Sequence, residues 1–329
     1  MTAMPVTFFL AVDDARLAAW RTLQPDAEPA RLRLGEDFWI VLSYCRLRDA
    51  GLPVVLDNRV PAQGIVVFYA GDKRAVRAQL RGDHRALLVA VRSDRHPVGF
   101  ADVEIVQNAF SADGVRALHL PHWPQPALRP RDPTRDDMVH VVLFPGTPQN
   151  LDSGFHAPAW QAFLAQRGIE LRCNYTDNGA PSHPPNDYGD VDVLLAVRPA
   201  ALGLIRNKPA WKLFNAWLAG VPAILGPESG YRELREGPLD YLEAATPDAA
   251  LQALQRLLDE PGLYGAMVAN GRVRGEAFTN AATLARWRGL LFDVLAERLA
   301  RLQRDPPSLA ARDRRELLAR LRRLWEGAR

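Results

Sequence analysis

The sequence predicts an α/β protein of two Rossmann-like units followed by C-terminal helices. Short apolar runs alternate with helix-period segments twice over, a Pro- and Arg-rich stretch separates the two series, and from Pro247 onward the pattern is almost wholly helical. With 329 residues, 48% of them hydrophobic, the chain is long and apolar enough for two ordinary cores.

The first series begins with an apolar run at Thr7 to Val12 and a helical pattern from Asp37 to Ala50 that stops at Gly51. Strands are expected at Pro53 to Leu56, Val66 to Ala70, Leu87 to Arg92 and Asp102 to Val106, with a helix from Asp72 to Leu80. Such a strand, helix, strand rhythm implies a parallel sheet. We place this unit at 1–123. Pro124, Pro126, Pro130 and Pro133, interleaved with Arg129, Arg131 and Arg135, mark a linker over 124–137.

A second unit is expected over 138–279. It opens with the strand Val139 to Phe144 and a helix from Ala157 to Gln166, then the strands Ile169 to Cys173 and Val191 to Val197. A helix from Pro209 to Ala219, closed by Gly220, leads to the strand Ala223 to Leu225. Helices follow from Pro247 to Asp259 and from Pro261 through Phe278, and 280–329 carries a long helix to about Arg304 and a last one from Leu309 to Trp325.

Composition excludes several classes. The net charge is +3, and from Ala311 to Arg329 seven arginines face three acids, so the body is nearly neutral and offers no basic stripe for nucleic acid. Cys45 and Cys173 are far apart and form no C-x-x-C, which argues for buried thiols. The apolar start, Val6 to Val12, is too short to span a membrane and no secretory signal is visible, so a cytoplasmic location is expected, with peripheral contact at the inner membrane left open. Neither G-x-G-x-x-G after a first strand nor G-x-x-x-x-G-K-[ST] occurs, against a nicotinamide dehydrogenase and a P-loop enzyme.

Chemistry concentrates around the helix that starts near Pro209. Lysine occurs only at Lys73, Lys208 and Lys212 among 41 basic residues, and two of the three lie four residues apart at that helix start. Helical spacing puts Lys208, Lys212 and Asn215 on one face. Cations at a helix N-terminus cost roughly 0.3–1 kcal/mol each, so a pair there implies a compensating anion, such as a diphosphate held also by the helix dipole. Ordinary solvated lysines are the plainer alternative. Arg198, ending the strand Val191 to Val197, is placed to meet a diphosphate or to form a surface ion pair. Glu228 could accept from hydroxyls and the Ser229 and Gly230 N–H groups could meet oxygens of a ligand in the Gly/Pro turn that ends at Tyr231, or Ser229 could simply cap a helix.

The stretch from Lys208 to Trp287, with KPAWKLFNAWLAGVPAILGPESGYRELREGPLDYLEA and LYGAMVANGRVRGEAFTNAATLARW, resembles the C-terminal donor-binding domain of GT-B glycosyltransferases of bacterial surface-glycan assembly; the junction LPHWPQPALRPRDPTRD is similar too. This resemblance implies two Rossmann-like domains facing a central cleft, with the helix near Trp287 returning towards the first. It implies transfer of a sugar from a nucleoside diphosphate sugar to a hydroxyl of a glycan or lipid-linked acceptor. Arg198, Lys208, Lys212, Asn215, Glu228, Ser229, Gly230 and Tyr231 would bind the donor, with no metal and no cofactor beyond the donor itself. Many retaining members carry two glutamates eight residues apart, where this chain has Asn207 and Asn215, so the stereochemical outcome stays open and ribose binding moves to Glu228.

A general base would come from the first unit. Asp13 ranks first, ahead of Asp14, Asp57 and His122. Asp190-Val191-Asp192 matches a D-x-D metal motif, but its acids begin an apolar strand instead of ending one, and no metal is expected there. In the last helix, Leu317, Leu318, Leu321, Leu324 and Trp325 share a face ringed by arginines, which suits either an anionic membrane or packing on the protein or a second subunit. A sugar-nucleotide epimerase and a non-catalytic GT-B-like scaffold in polysaccharide assembly are the competing functions.

Overall fold

Strands that are apolar on both faces need cover on both sides, and the first series meets that need as a parallel sheet. The computed structural model describes residues 6–82, 84–176, 178–199 and 207–327. They divide into two units, one formed by the chain up to Trp123 together with the segment from Thr283 onward, the other by Pro124–Ala282.

In the first unit six strands, β1 (Val6–Phe9), β2 (Val54–Asp57), β3 (Ile65–Tyr69), β4 (Leu87–Val91), β5 (Val103–Val106) and β6 (Ala117–His119), lie in the order β2-β1-β3-β4-β5-β6. All pairings are parallel, with Val6 opposite both Val54 and Ile65. The helix expected from Asp37 is a π-helical turn, Asp37–Val41, running into α2 (Leu42–Asp49), after α1 (Asp14–Arg21). The periodicity did not predict α1, because only Leu17 and Trp20 of it are buried. The short edge strand β6 likewise has too few residues to show a period.

The chain after Thr283 completes this unit. Trp287, in α9 (Asn280–Gly289), is fully buried with its ring 5.8 Å from Phe8, and Leu295 and Leu299 of α10 (Leu295–Arg304) join the same core as Val67 and Val89. The other sheet face is covered by α3 (Lys73–Gln79) and by Phe100 stacked on Phe68.

In the second unit, β7 (Val141–Phe144), β8 (Glu170–Cys173), β9 (Val193–Ala196), β10 (Ala223–Leu225) and β11 (Leu242–Glu243) form a parallel sheet in the order β11-β10-β9-β7-β8. Around it pack α4 (Pro158–Arg167), α5 (Trp211–Ala219), α6 (Ser229–Leu234), α7 (Pro247–Asp259) and α8 (Leu263–Gly275). Helix α5 starts at Trp211, two residues later than expected, with Ala210 as its N-cap and Gly220, at φ +71°, as its C-cap. Pro209 therefore lies outside the first turn, because the Lys208–Ala210 backbone is packed against Gly230. Among the described residues no helix is long and apolar enough to cross a membrane.

The Pro-rich segment is fastened to this unit. Arg131 and Arg135 converge on Asp192, which is fully buried, at 2.9 Å each, and the same carboxylate accepts from the His140 and Val141 N–H groups at 2.8 and 2.9 Å. Asp190 pairs with Arg172 at 2.9 Å. The D-x-D acids are thus filled by arginines and backbone donors. Removing one partner of a buried ion pair leaves the others uncompensated, so Asp192→Ala is expected to lower stability by about 3–5 kcal/mol, read from the urea midpoint.

Candidate functional site

In a parallel sheet whose connections leave in opposite directions from one strand, a crevice opens at the carboxyl ends of the two strands flanking that point. In the second unit these are β7 and β9. Phe144 ends β7, Arg198 follows β9, and Glu228 follows β10. Lys212, in the first turn of α5, lays its Nζ 5.1 Å from the centre of the Phe144 ring. A Cβ on Gly146 would come within 2.9 Å of that ring, so a residue without a side chain follows the strand there.

Glu228 is the unusual group. Its side chain is 3% exposed, Arg198 Nε lies 3.6 Å from its Oε1, and neither carboxylate oxygen accepts a hydrogen bond among the described residues. Burial raises its pKa, opposed by Arg198, Lys212 and Lys208. Burial also pulls the Lys212 ammonium down to about 7, helped by Arg198 and Lys208 and opposed by Glu228. Among the described residues three cationic side chains, Arg198, Lys208 and Lys212, act on this one acid. Among these residues the crevice carries excess positive charge and an unsatisfied acceptor, which anionic oxygens and hydroxyls of a ligand would satisfy.

The remaining expected residues divide. Glu228 takes the N-cap position of α6 without a side-chain capping bond, and Ser229 is the first helical residue, so Ser229 is not the cap. Gly230 is required by packing: a Cβ would sit 2.5 Å from the Lys208 carbonyl oxygen. Asn215 is buried, and its Oδ1 accepts from the Gln125 N–H at 3.1 Å, which commits that oxygen to the Pro-rich segment. Tyr231 is 1% exposed and packs edge-on to Tyr241 in the core.

In the first unit the equivalent switch lies at β1 and β3. Asp13 caps α1, its Oδ1 accepting from Arg16 N–H at 2.7 Å. Asp14 accepts from Asn58 at 2.8 Å, Asp57 accepts from the Arg59 N–H at 3.1 Å, and His122 is buried with its ring 4.1 Å from Trp39. Burial lowers the His122 pKa to about 3, which leaves it neutral. Sequence reasoning passed over Asp72, which follows β3. Its carboxylate accepts from the Ala11 N–H, while Oδ2 is buried without a hydrogen-bond partner among the described residues, and burial raises its pKa to about 6. The signal was its place just beyond a strand end.

Neither a known protein family nor a curated protein matches the chain by sequence. Solved structures do match in three dimensions. Sucrose-phosphate synthase from Thermosynechococcus elongatus aligns with a TM-score of 0.54 at 12% identity, over 89% of this chain and all of that one. AviGT4, a glycosyltransferase of avilamycin A biosynthesis, gives 0.53 at 14% identity over 89% and 98%, and Anabaena HepE with UDP and glucose gives 0.51 at 12% over 91% and 100%. Against TarM the score is 0.51, and this chain spans 58% of that protein's length. The chain has the GT-B fold. At such low identities the likeness concerns architecture alone. In GT-B terms, Arg198, Lys212 and Glu228 stand at the carboxyl edge of the C-terminal Rossmann-like sheet.

The tight approach of Gly230 to the segment before α5 is testable. Gly230→Ala forces a methyl against main-chain atoms and is expected to lower stability by about 1–3 kcal/mol in urea unfolding.

Proposed function

We propose that this chain is a glycosyltransferase that moves a hexose or deoxyhexose from a nucleoside diphosphate sugar to a hydroxyl of a glycan or lipid-linked acceptor. The observation that carries the reading is Glu228, buried with no hydrogen-bond donor to its carboxylate among the described residues, beside Arg198 and Lys212 at the carboxyl edge of a Rossmann-like sheet. In this scheme Glu228 accepts from ribose or sugar hydroxyls. Arg198, Lys208 and Lys212 neutralise the diphosphate as the anomeric carbon–oxygen bond breaks and its electron pair moves to the leaving phosphate. The acceptor oxygen bonds to the anomeric carbon and loses its proton. The cations take the part that a divalent metal would otherwise play. HepE, of the same fold, was solved with UDP and glucose, which makes a uridine nucleotide the first donor to test.

Calorimetric titration with UDP, GDP, dTDP and NAD, with and without magnesium, tests the reading. Diphosphate binding favours charged Lys212, whose free-state pKa lies near 7, so binding takes up a proton above that pH. Affinity is expected to fall as pH rises through about 7, by at most about tenfold per unit. Lys212→Ala is expected to weaken binding and to flatten this dependence in a folded protein. Unchanged affinity in that variant removes the assignment, binding of NAD alone favours an epimerase, and donor binding without turnover favours the scaffold.

For an inverting reaction the proton needs a base. Asp13 uses one oxygen as a helix cap and is exposed, whereas Asp72, just beyond β3, has a buried Oδ2 with no hydrogen-bond partner among the described residues and a pKa raised by burial to about 6. Asp72→Asn is expected to lower kcat by about 10²- to 10⁴-fold with donor affinity unchanged. Asp13→Asn is expected to cost stability of about 1 kcal/mol or less, and a kcat loss confined to it instead returns the role to Asp13.

A further inference from the structure

The last helix, α11 (Leu309–Gly327), is attached to the first unit by polar contacts made by its N-terminal half. Arg312, 1% exposed, donates to the Phe100 carbonyl at 3.0 Å and to Asp102 at 2.8 Å. Glu316 accepts from the Gly99 N–H at 2.7 Å and from Lys73 at 3.0 Å. Gly99 lies so close that a Cβ would come within 2.5 Å of the helix backbone.

This docking turns the apolar stripe outward. At about 100° per residue, Leu317, Leu318, Leu321, Leu324 and Trp325 fall within an arc of about 120°, roughly opposite Arg312 and Glu316. All five are exposed, from 47% for Leu318 to 72% for Leu324. Exposed Arg320 and Arg322 border the arc on either side, with exposed Arg314 one turn before it. A neighbouring groove of about 460 Å³ is lined by four cations, Lys73, Arg74, Arg77 and Arg320, against two acids, Asp313 and Glu316, an excess of two positive charges. Among the described residues the groove's acids are paired, Asp313 with Arg77 at 2.6 Å and Glu316 with Lys73 at 3.0 Å and Arg320 at 3.4 Å.

An apolar stripe edged by cations matches a surface with an apolar interior and anionic headgroups. A second copy of the chain matches poorly, because a two-fold contact would set the bordering arginines against each other with their local acids already paired. We propose that the outer face of α11 docks the protein on an anionic phospholipid bilayer. This goes beyond the sugar-transfer reading and holds or fails without it.

Cosedimentation of the full chain with vesicles tests the proposal, using phosphatidylcholine alone and phosphatidylcholine mixed with phosphatidylglycerol. Binding is expected to the anionic vesicles only and to weaken with salt. Arg320→Gln with Arg322→Gln is expected to reduce partitioning on the order of 30-fold. Leu321→Glu with Leu324→Glu is expected to abolish it, with helical circular dichroism kept because both positions are exposed. No binding to anionic vesicles, equal binding to neutral ones, or binding that survives the leucine changes overturns the proposal. So does self-association in analytical ultracentrifugation that the leucine changes dissolve, which assigns the face to a second copy.

Discussion

Three parts of the second unit meet at the buried carboxylate and backbone of Asp192, which leads into β9. Arg131 and Arg135 bring the Pro-rich segment, the His140 and Val141 N–H groups bring the start of β7, and Tyr264 of α8 donates to the Asp192 carbonyl at 2.9 Å. The Asp192 N–H in turn donates to the Val141 carbonyl, which fixes how β9 aligns with β7. That alignment is set at one end of the strands and used at the other. Phe144 ends β7 and Arg198 lies beyond β9 at that other end, with Lys212 against the Phe144 ring.

The crevice pairs two unfavourable burials. Glu228 and Lys212 each resist ionisation because water is excluded, yet each favours ionisation of the other. Under the proposed reading a diphosphate adds anionic oxygens beside Lys212, and the ribose or sugar adds donors for Glu228. The first unit repeats the same economy of design with less charge: Asp72, just beyond β3, is likewise a partly buried carboxylate with one oxygen unfilled among the described residues. Parallel topology accounts for both, because every strand delivers the residue after it to the same edge.

Much of the fold was legible in the sequence. The helix Pro247–Asp259 and the strand Ala223–Leu225 fall where periodicity puts them, since one is strongly amphipathic after a Thr246 cap and the other is a short apolar run bounded by Pro222 and Gly226. The start of α5 was misplaced because Pro209 reads locally as a first-turn residue, while its actual position is set by Gly230, which lies beyond β10. Asn215 shares a local face with Lys212, but its oxygen is claimed by Gln125 from the Pro-rich segment. Helical spacing carries no information about such a partner.

The sequence by itself determined the two parallel α/β series, the concentration of lysines near α5, the acid and glycine after β10, and the apolar, arginine-edged stripe of α11. These are local patterns, set by side-chain period and by the backbone preferences of Gly and Pro. Tertiary structure alone decided which charges are buried together, which acids are already filled, and which side of α11 faces outward. Burial and hydrogen-bond satisfaction depend on residues far apart in the chain, so Asp192 and Glu228, both acids beside apolar strands, became a saturated structural anchor in one case and, among the described residues, an unfilled acceptor in the other.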